Sequence, residues 1–397
     1  MIEEVWKETD KQLRKGVMDG YGKTGYDLDD FDTVLQLNSN IGVFSAFKSY
    51  RVNQEMKANL TDENGKKLSF DKFLDRYQKV DAEYNANYLR AEYNLAQRQA
   101  ASANQWNDFK RSEELYPNLK YMPSRSAEPR QDHTKYYGII KPINDPIWND
   151  LIPPIAWGCN CWVTNTDEPS VATTVEPPQP VNGIIGNPGK NGAVFSISHA
   201  YSKGVDKQSK QQVATFLSKM KDKHWSDEHI SSKVGKGRLK VSLNADTKDL
   251  SHNLQIGNTV LKNHGGRYEV RPHIEGVKNP EGNFNGLIGD ATRYDPKVVT
   301  SAQNYIKNSF GDKYSNSKNK GQLRGFKESF LILDLMKKLK KNDFKDFMIK
   351  LKGEFNSQKK CKLVIIVNGD NSFIIDDFGK NTKDLIKIYD KAKKELL

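Results

Sequence analysis

The sequence predicts a multidomain protein: a mainly α N-terminal module with a small loop-and-strand knot, then an α+β C-terminal domain with a small, largely antiparallel sheet. Three observations predict it. The length of 397 residues exceeds what one hydrophobic core usually serves. Apolar residues recur at helical spacing in the first third of the chain, whereas alternating patterns dominate near the C-terminus. A segment dense in proline, tryptophan and cysteine separates the two regions.

These patterns divide the chain into four parts. The helical module covers residues 1–163 and includes the knot at 121–163, which is rich in Pro, Trp and Cys. A Pro-rich linker and tail follows at 164–204 and is expected to act as an extended spacer. Connecting helices are predicted at 205–235, and the α+β domain at 236–397.

The helical pattern is clearest between Ser69 and Leu95. Apolar residues at i, i+3, i+4 and i+7 spacing form one stripe along a single long helix, with Ser69 as a candidate N-cap. The helix is expected to end before Pro117, because proline lacks the amide proton that a helix interior needs. The stripe consists of Phe73, Tyr77, Val80, Tyr84, Tyr88, Ala91 and Leu95.

The knot contains a candidate metal site. His133, Cys159 and Cys161 offer the imidazole and thiolate ligands that zinc prefers, so a structural zinc ion is one interpretation. One residue separates the cysteines, fewer than the roughly two to four of common structural zinc sites, and a fourth ligand such as Asp132 is needed. The alternative is two buried thiols and a histidine that hydrogen-bonds to backbone carbonyls.

Charge is distributed unevenly along the chain. Residues 1–169 contain 22 Lys and Arg against 26 Asp and Glu, whereas the remaining residues contain 40 against 24. The basic half is therefore the candidate for contact with a polyanion. A lysine-rich surface also keeps a domain soluble, so charge alone does not decide between these interpretations.

Strand and helix patterns alternate in the C-terminal domain. Short strands joined by a tight hairpin and flanked by helices favour an α+β layer over a doubly wound parallel sheet. The predicted strands are 238–243, 268–274, 329–335, 362–367 and 372–377, and the predicted helices include 298–310 and 381–396.

A set of knot residues has a recognisable order and spacing: Arg125, His133, Gly138, Pro142, Asp145-Pro146, Trp148, Pro153-Pro154 and Gly158 to Val163. This set resembles the phage Mu F-like head morphogenesis (minor capsid) family. The resemblance implies that the helical module docks on phage portal or capsid proteins, and that the chain moves from the bacterial cytoplasm into the virion. The low cysteine content agrees with a reducing compartment, and neither a signal segment nor a membrane-spanning run is visible, so no membrane partner is expected.

The C-terminal domain has its own set of features: Arg271-Pro272-His273, Lys278-Asn279-Pro280-Glu281, Asp290 with Arg293 and Lys297, and the strand Phe330 to Leu335. This set resembles the barnase/EndoU/colicin/RelE-like nuclease fold, in particular the tRNA-cleaving domains of contact-dependent inhibition toxins. The resemblance implies a metal-independent ribonuclease toxin that the particle delivers to the cytoplasm of a target cell. It also implies an acidic immunity protein as a partner.

RNA cleavage through the ribose 2′-hydroxyl requires a base, an acid and cations that stabilise the phosphorane. His273 is the candidate base or acid because imidazole titrates near neutral pH, and Glu281 or Asp290 is its counterpart. The candidates for substrate binding are Arg271, Arg293, Lys297, Lys278 and Asn279. The reaction needs no cofactor, and the 2′-hydroxyl specifies RNA as the substrate. Each candidate also has a purely structural interpretation, as a capping carboxylate or a hydrogen-bonded strand end.

Other functions remain open. A metal-dependent nuclease of the PD-(D/E)xK kind could use Glu281 and Asp290, but Thr292 stands where that motif places its lysine. A purely structural capsid protein with a basic DNA-binding C-terminal domain would bind without cleaving, and its affinity would fall steeply with salt. An ADP-ribosyltransferase would need a nicotinamide cofactor, and no Gly-rich nucleotide loop supports it.

Overall fold

The computed structural model describes residues 1–22, 26–64, 66–82, 84, 88–171, 175–294, 301–315, 321–335 and 341–396. These residues form two compact units, Met1–Lys221 and Asp222–Leu397. No helix among the described residues is both long enough and apolar enough to cross a membrane.

Four helices dominate the first unit. They are α1 (Glu3–Tyr21), α2 (Leu28–Ala58), α3 (Phe70–Ala82) and α4 (Leu89–Arg111). Helix α1 packs against α2 and α4. The Asp27 carboxylate begins α2 with a capping box, in which it accepts from the Asp30 amide at 2.9 Å.

The long helix predicted from Ser69 corresponds to α3 and α4. Between them Tyr84 and Tyr88 have π-helical backbone, and residues 83 and 85–87 lie outside the described residues. The side chains of Tyr77 and Val80 lie outside the described residues. A lysine of α2 contacts this stretch. The Lys48 ammonium donates to the Tyr84 carbonyl at 2.9 Å and forms an ion pair with Glu92 at 2.7 Å. Sequence periodicity does not register such a contact.

The knot is a small sheet with irregular connections, as expected. Its strands β1 (Asn118–Met122), β2 (Ile140–Pro142) and β3 (Trp162–Thr166) pair antiparallel in the order β2-β1-β3. Two short 3-10 helices, Gln131–Tyr136 and Pro146–Asn149, fill the connections. The fully buried Trp148 lies in the core of the knot.

The segment predicted as an extended linker and tail is packed where it is described. A short helix, α5 (Pro188–Asn191), lies within it. Phe195 stacks on Phe44 of α2 with ring centroids 3.8 Å apart, and Asn40 Oδ1 accepts from the amides of Val194 and Phe195. The expectation of a free spacer misses these contacts because they join residues that are far apart in sequence.

The second unit is built on one eight-stranded sheet in the order β11-β10-β9-β8-β7-β6-β5-β4. Helix α6 (Lys207–His224) precedes the sheet in the chain. The strands are β4 (His229–Val234), β5 (Gly237–Ser242), β6 (Gly266–Val270), β7 (Gly282–Phe284), β8 (Leu287–Arg293), β9 (Ser329–Asp334), β10 (Cys361–Asn368) and β11 (Asn371–Ile375). The predicted connecting helices therefore end earlier than expected, because residues 229–234 form β4.

The prediction of a small, largely antiparallel sheet needs correction. Three of the seven neighbouring strand pairs are parallel: β5 with β6, β8 with β9, and β9 with β10. Parallel neighbours require long crossover connections, and a helix supplies each one. These helices are α7 (Leu250–His264), α8 (Ala302–Tyr314) and α9 (Lys341–Ser357), and α10 (Thr382–Leu396) follows β11.

The helices cover the two faces of this sheet unequally. Helix α7 packs on β5 and β6, where a side chain at Gly257 would collide with Tyr268 and Leu239. Helices α8, α9 and α10 pack on the opposite face, over β9, β10 and β11, and form the main apolar core there. The part of this second face over β4–β7 has exposed or partly exposed side chains.

Candidate functional site

The parallel strands of the second unit end together at one edge of the sheet, which we call the carboxyl edge. Strands β5, β6, β8, β9 and β10 run in the same direction, because β7 is antiparallel to both β6 and β8. Open sheets with parallel strands usually bind ligands outside the carboxyl ends of those strands. The carboxyl edge is therefore the candidate position of a ligand-binding site.

Glu281 and Asp290 meet at the carboxyl edge through a hairpin. An Asn285-Gly286 turn with φ values of 51° and 95° joins β7 to β8, as a two-residue type I′ turn requires. The hairpin places Gly282 opposite Gly289, so Glu281 and Asp290 are the next residues outward. The Glu281 amide donates to Asp290 Oδ1 at 3.4 Å.

Lys313 forms an ion pair with Asp290. Its Nζ lies 2.8 Å from Asp290 Oδ2, and the two side chains are 19% and 1% exposed. Lys313 belongs to the last turn of α8, the crossover helix between β8 and β9. The buried carboxylate thereby keeps the counter-ion that a buried charge requires.

Burial changes the protonation of both carboxyl groups. Burial, followed by the charge of Asp290, raises the pKa of Glu281 to about 7. Burial also raises the pKa of Asp290, while Lys313 opposes that change. A carboxyl group that titrates near neutral pH beside a second carboxyl group is suited to exchange a proton. A divalent cation could replace that proton, because carboxylate oxygens are its preferred ligands.

Arg271 holds the loop that leads into Glu281. Its amide donates to the Glu281 carbonyl at 2.9 Å, and its Nη1 donates to the Pro280 carbonyl at 3.0 Å. Burial lowers the pKa of Arg271, whereas the charges of Glu269 and Asp290 act in the opposite direction. The partly buried guanidinium of Arg271 is therefore a positive charge close enough to Asp290 for the two charges to interact.

His273 lies at the carboxyl edge with an exposed side chain. Its Nδ1 lies 3.6 Å from Asp246 Oδ2, and 53% of the imidazole side chain is exposed. Its backbone is held by Asn244, which accepts from the His273 amide at 2.7 Å and donates to the His273 carbonyl at 2.8 Å. Asp246 also contributes negative charge that raises the pKa of Glu281. The imidazole is therefore linked electrostatically to Glu281 through Asp246.

The other predicted substrate-binding residues have different environments. Asn279 closes a turn, since its amide side chain exchanges two hydrogen bonds of 2.9 Å with the backbone of Ile274. Lys278 is exposed on this turn, and Arg293 is exposed at the last position of β8. Lys297 lies outside the described residues.

Sequence analysis missed Lys313 and His252. The Nε2 of His252, on α7, lies 2.7 Å from Asp334 Oδ2 at the end of β9. Neither pair follows from sequence spacing, because each joins a helix to a strand through the tertiary fold. The Asn285-Gly286 dipeptide, in contrast, is a strong local marker of a two-residue hairpin. That signal could have predicted that Glu281 and Asp290 are neighbours.

A second cluster lies in the knot of the first unit. His133 Nδ1 lies 3.6 Å from Cys159 Sγ and 3.7 Å from Cys161 Sγ, and the three ligand atoms lie within 4.8 Å of one another. Nitrogen and sulfur ligands of a tetrahedral zinc ion are about 3.5 Å apart, given their usual bond lengths. The donor types and separations of this cluster therefore fit a zinc ion.

Asp132 lies on the other side of the imidazole. Its Oδ2 is 3.8 Å from His133 Nε2, whereas His133 Nδ1 faces the thiols. The sequence-based suggestion of Asp132 as the fourth ligand does not fit this geometry. At 3.8 Å this carboxylate is also too far from the second ring nitrogen for a hydrogen bond.

The two thiols have unequal acidity. The pKa of Cys159 is lowered to about 5, chiefly because its thiolate accepts a hydrogen bond from Cys161, whose own pKa is raised. Both cysteines line a surface pocket of about 460 Å³, which also contains Arg98 and Arg125. A fourth ligand therefore has a route to the cluster from solvent.

The chain is similar to a curated prophage protein. This relative, the Mu-like prophage FluMu F protein of Haemophilus influenzae, is 28% identical to the chain over 105 residues. The matched stretch is 26% of this chain and 23% of the FluMu F protein, so the chain spans about a quarter of its relative's length. No family model matches the chain, and no solved structure is similar to it.

Proposed function

We propose that this chain is a phage head protein whose second unit cleaves nucleic-acid phosphodiesters at the carboxyl edge. Similarity to the FluMu F protein and the knot residues support the head role. The observation that carries the proposed cleavage is the cluster of Glu281, Asp290 and Lys313: Lys313 pairs with Asp290, the Glu281 amide donates to Asp290, and the charges of Asp290 and Lys313 act on the Glu281 carboxyl group. This geometry favours the metal-dependent alternative over the metal-independent one.

The cluster has the parts that metal-assisted phosphodiester hydrolysis needs. A divalent cation held by Glu281 and Asp290 would supply a Lewis acid. Glu281, whose pKa is about 7, would release its proton near neutral pH and could then hold the cation. Lys313 opposes the rise that burial causes in the pKa of Asp290, and it would offset negative charge at the reacting phosphate. The lysine that is lacking at Thr292 is thus supplied from α8.

His273 supports a second candidate, the metal-independent ribonuclease that the sequence predicts. Its imidazole is exposed, and its Nδ1 lies 3.6 Å from Asp246 Oδ2. In this reaction His273 would take the proton of the ribose 2′-hydroxyl, and Glu281 would protonate the leaving oxygen. The two candidates differ in their need for a divalent cation and in the residue that is essential.

The deciding experiment incubates the purified full-length protein with RNA and with single-stranded DNA, in Mg²⁺, in Mn²⁺ or in EDTA. We expect cleavage that EDTA abolishes and that falls at least about 100-fold in Glu281→Gln, Asp290→Asn and Lys313→Met, as the loss of a metal ligand or charge stabiliser implies. Lys307→Met is the matched control, because Lys307 is an exposed lysine on the same helix. Cleavage that survives EDTA and is lost in His273→Ala would establish the second candidate instead. Intact RNA and DNA with a folded protein would leave the structural DNA-binding role.

The biological setting of this activity is also a proposal. A nuclease in a head protein would travel in the virion, contact portal or capsid proteins, and act in the cytoplasm of the target cell. The producing cell would need an acidic immunity protein, complementary to the basic second unit. Mass spectrometry of purified particles tests the location: absence of this chain from intact particles would contradict it.

We also propose a structural zinc ion in the knot, held by His133, Cys159 and Cys161. Support comes from the separations of 3.6 Å and 3.7 Å from the imidazole to the two thiols. Its role would be to tie the 3-10 helix at Gln131–Tyr136 to the loop before β3. Zinc of this kind contributes directly to the stability of a small irregular fold.

A further inference from the structure

The second unit presents one uncovered sheet surface, which we call the open face. It consists of the outward side chains of β4–β7 that are exposed or partly exposed: His229, Ser231, Lys233, Arg238, Lys240, Arg267, Glu269 and Asn283. Their neighbours along each strand, such as Leu239, Val241 and Tyr268, are buried on the side that α7 covers. The alternation shows that the sheet has one apolar face and one polar face here.

Three cations stand in one row across this face. Lys233 of β4 is directly opposite Arg238 of β5, which is directly opposite Arg267 of β6. Neighbouring strands are about 4.8 Å apart, and like charges placed directly opposite each other destabilise a sheet. All three side chains are exposed. A row of this kind weakens the fold unless a polyanion neutralises it.

The next row is net neutral, because Lys240 and Glu269 carry opposite charges. It runs from Ser231 through Lys240 and Glu269 to Asn283. The carboxylate of Glu269 is engaged by His229, whose Nε2 lies 2.8 Å from Oε1, and the charges of Lys240 and Arg271 also lower its pKa. The one carboxylate of the open face is therefore already satisfied by the protein.

The open face leads directly to the candidate site. Arg271 follows β6, and its amide donates to the Glu281 carbonyl. Residues two apart on a strand are about 6.6 Å apart on the same face, so Glu269 and Arg271 connect the second row to the Glu281–Asp290 pair. A polyanion that lies along the rows would therefore reach the proposed reaction centre.

We propose that the open face binds the phosphate backbone of the nucleic acid that the carboxyl edge cleaves. This inference rests on the proposed function and adds the surface that holds the substrate. The open face, as defined above, has no Phe, Tyr or Trp side chain on which bases could stack, and its one imidazole, that of His229, is paired with Glu269. Binding is therefore electrostatic, tolerant of sequence and steeply dependent on salt.

The test measures binding separately from cleavage. Full-length Glu281→Gln protein is titrated against fluorescein-labelled RNA and DNA oligonucleotides of mixed sequence, and anisotropy is read at several salt concentrations. The open-face variant adds Lys233→Gln, Arg238→Gln and Arg267→Gln. The matched control adds Lys383→Gln, Lys387→Gln and Lys394→Gln, three exposed lysines of α10 with the same total charge change.

We expect the open-face variant to bind at least about tenfold more weakly at low salt, and the control to change less than about threefold. The slope of log K against log salt should fall by about 2 in the open-face variant, since each lost phosphate contact removes about 0.7 to 0.9. Thermal unfolding should occur at an equal or higher temperature in the open-face variant, because like-charge repulsion is removed.

Equal losses of nucleic-acid affinity in the open-face variant and in the matched control would overturn the proposal. Poly-glutamate binding that depends on the three open-face cations, with nucleic-acid binding unchanged, would also overturn it and identify an acidic protein as the occupant. These results are independent of the cleavage assay. Cleavage by the parent chain with unaltered binding in the open-face variant would preserve the proposed function and reject only this surface.

Discussion

Lys313 Nζ lies 2.8 Å from Asp290 Oδ2, and only 1% of the Asp290 side chain is exposed. The pair joins a crossover helix to the strand before it. Burial raises the pKa of Asp290 and Lys313 opposes that change. The lysine therefore determines how much of the Asp290 carboxyl is ionised, and with it the charge of the carboxyl edge.

Removal of the lysine should destabilise the second unit. Lys313→Met leaves a buried carboxyl without its counter-ion, and breaking a buried pair in this way costs about 3–5 kcal/mol of unfolding free energy. The double variant Lys313→Met/Asp290→Asn should recover part of the loss, because no charge is left unpaired. Urea unfolding at pH 7 measures both. If the single variant is as stable as Lys307→Met, the ion pair does not form in solution.

The raised pKa of Glu281 predicts the direction of a pH effect. Its value of about 7 in the folded protein exceeds the ordinary value of 4.5 for a glutamate side chain, so the folded state binds the proton more tightly than the unfolded state. The resulting stability is fully present below about pH 4.5 and is lost as pH rises through about 7. At about 1.4 kcal/mol per pKa unit, this contribution is on the order of 3 kcal/mol.

Urea unfolding at pH 5 and pH 7 tests this effect by comparing the parent protein with Glu281→Gln. The unfolding free energy of the parent should fall more between the two pH values than that of the variant. Mn²⁺ should bind the parent more tightly as pH rises through 7, because the cation displaces a proton. Identical pH profiles of the two proteins would contradict a raised pKa for Glu281.

Zinc in the knot predicts a stoichiometric metal content. Elemental analysis of the full-length protein, purified without chelator, should find about one zinc per chain, and Cys161→Ser should lose it. Cys361→Ser is the control, since Cys361 is a free cysteine of the second unit. Zinc content below about one tenth per chain would favour the alternative of two buried thiols. Equal zinc content in both cysteine variants would place the metal elsewhere.

The buried pair of Lys48 and Glu92 predicts that removing one of the two charges destabilises the first unit more than removing both. The two side chains are 0% and 3% exposed, their charged atoms lie 2.7 Å apart, and Tyr201 donates to Glu92 at 2.6 Å. Lys48→Met should cost about 3–5 kcal/mol, and Lys48→Met/Glu92→Gln should cost less. The exposed pair of Lys15 and Asp19 is the control, and Lys15→Met should leave the unfolding midpoint unchanged. A double variant that is less stable to unfolding than Lys48→Met would contradict this account.

Sequence reasoning succeeded where structure depends on neighbouring residues. The hairpin of β10 and β11, the strand β9 and the helix α10 follow from local periodicity and turn residues, and the structure confirms them within a few residues. His133, Cys159 and Cys161 were grouped by residue type, and the structure brings them together. In the stretch from Ser69 to Leu95, periodicity predicted the helical elements α3 and α4, but not that Lys48, distant in sequence, contacts Tyr84 and Glu92.

The sequence by itself determined the types of most elements, the basic character of the C-terminal half, and the identity of Glu281, Asp290 and His273 as candidates. Only the tertiary structure decided the order and direction of the eight strands. Strand order depends on which distant segments bury their apolar faces together, and no local pattern encodes it. That order places Lys313 next to Asp290 and aligns Lys233, Arg238 and Arg267 in one row. Strand pairing and helix crossovers bring together residues that are far apart in the sequence.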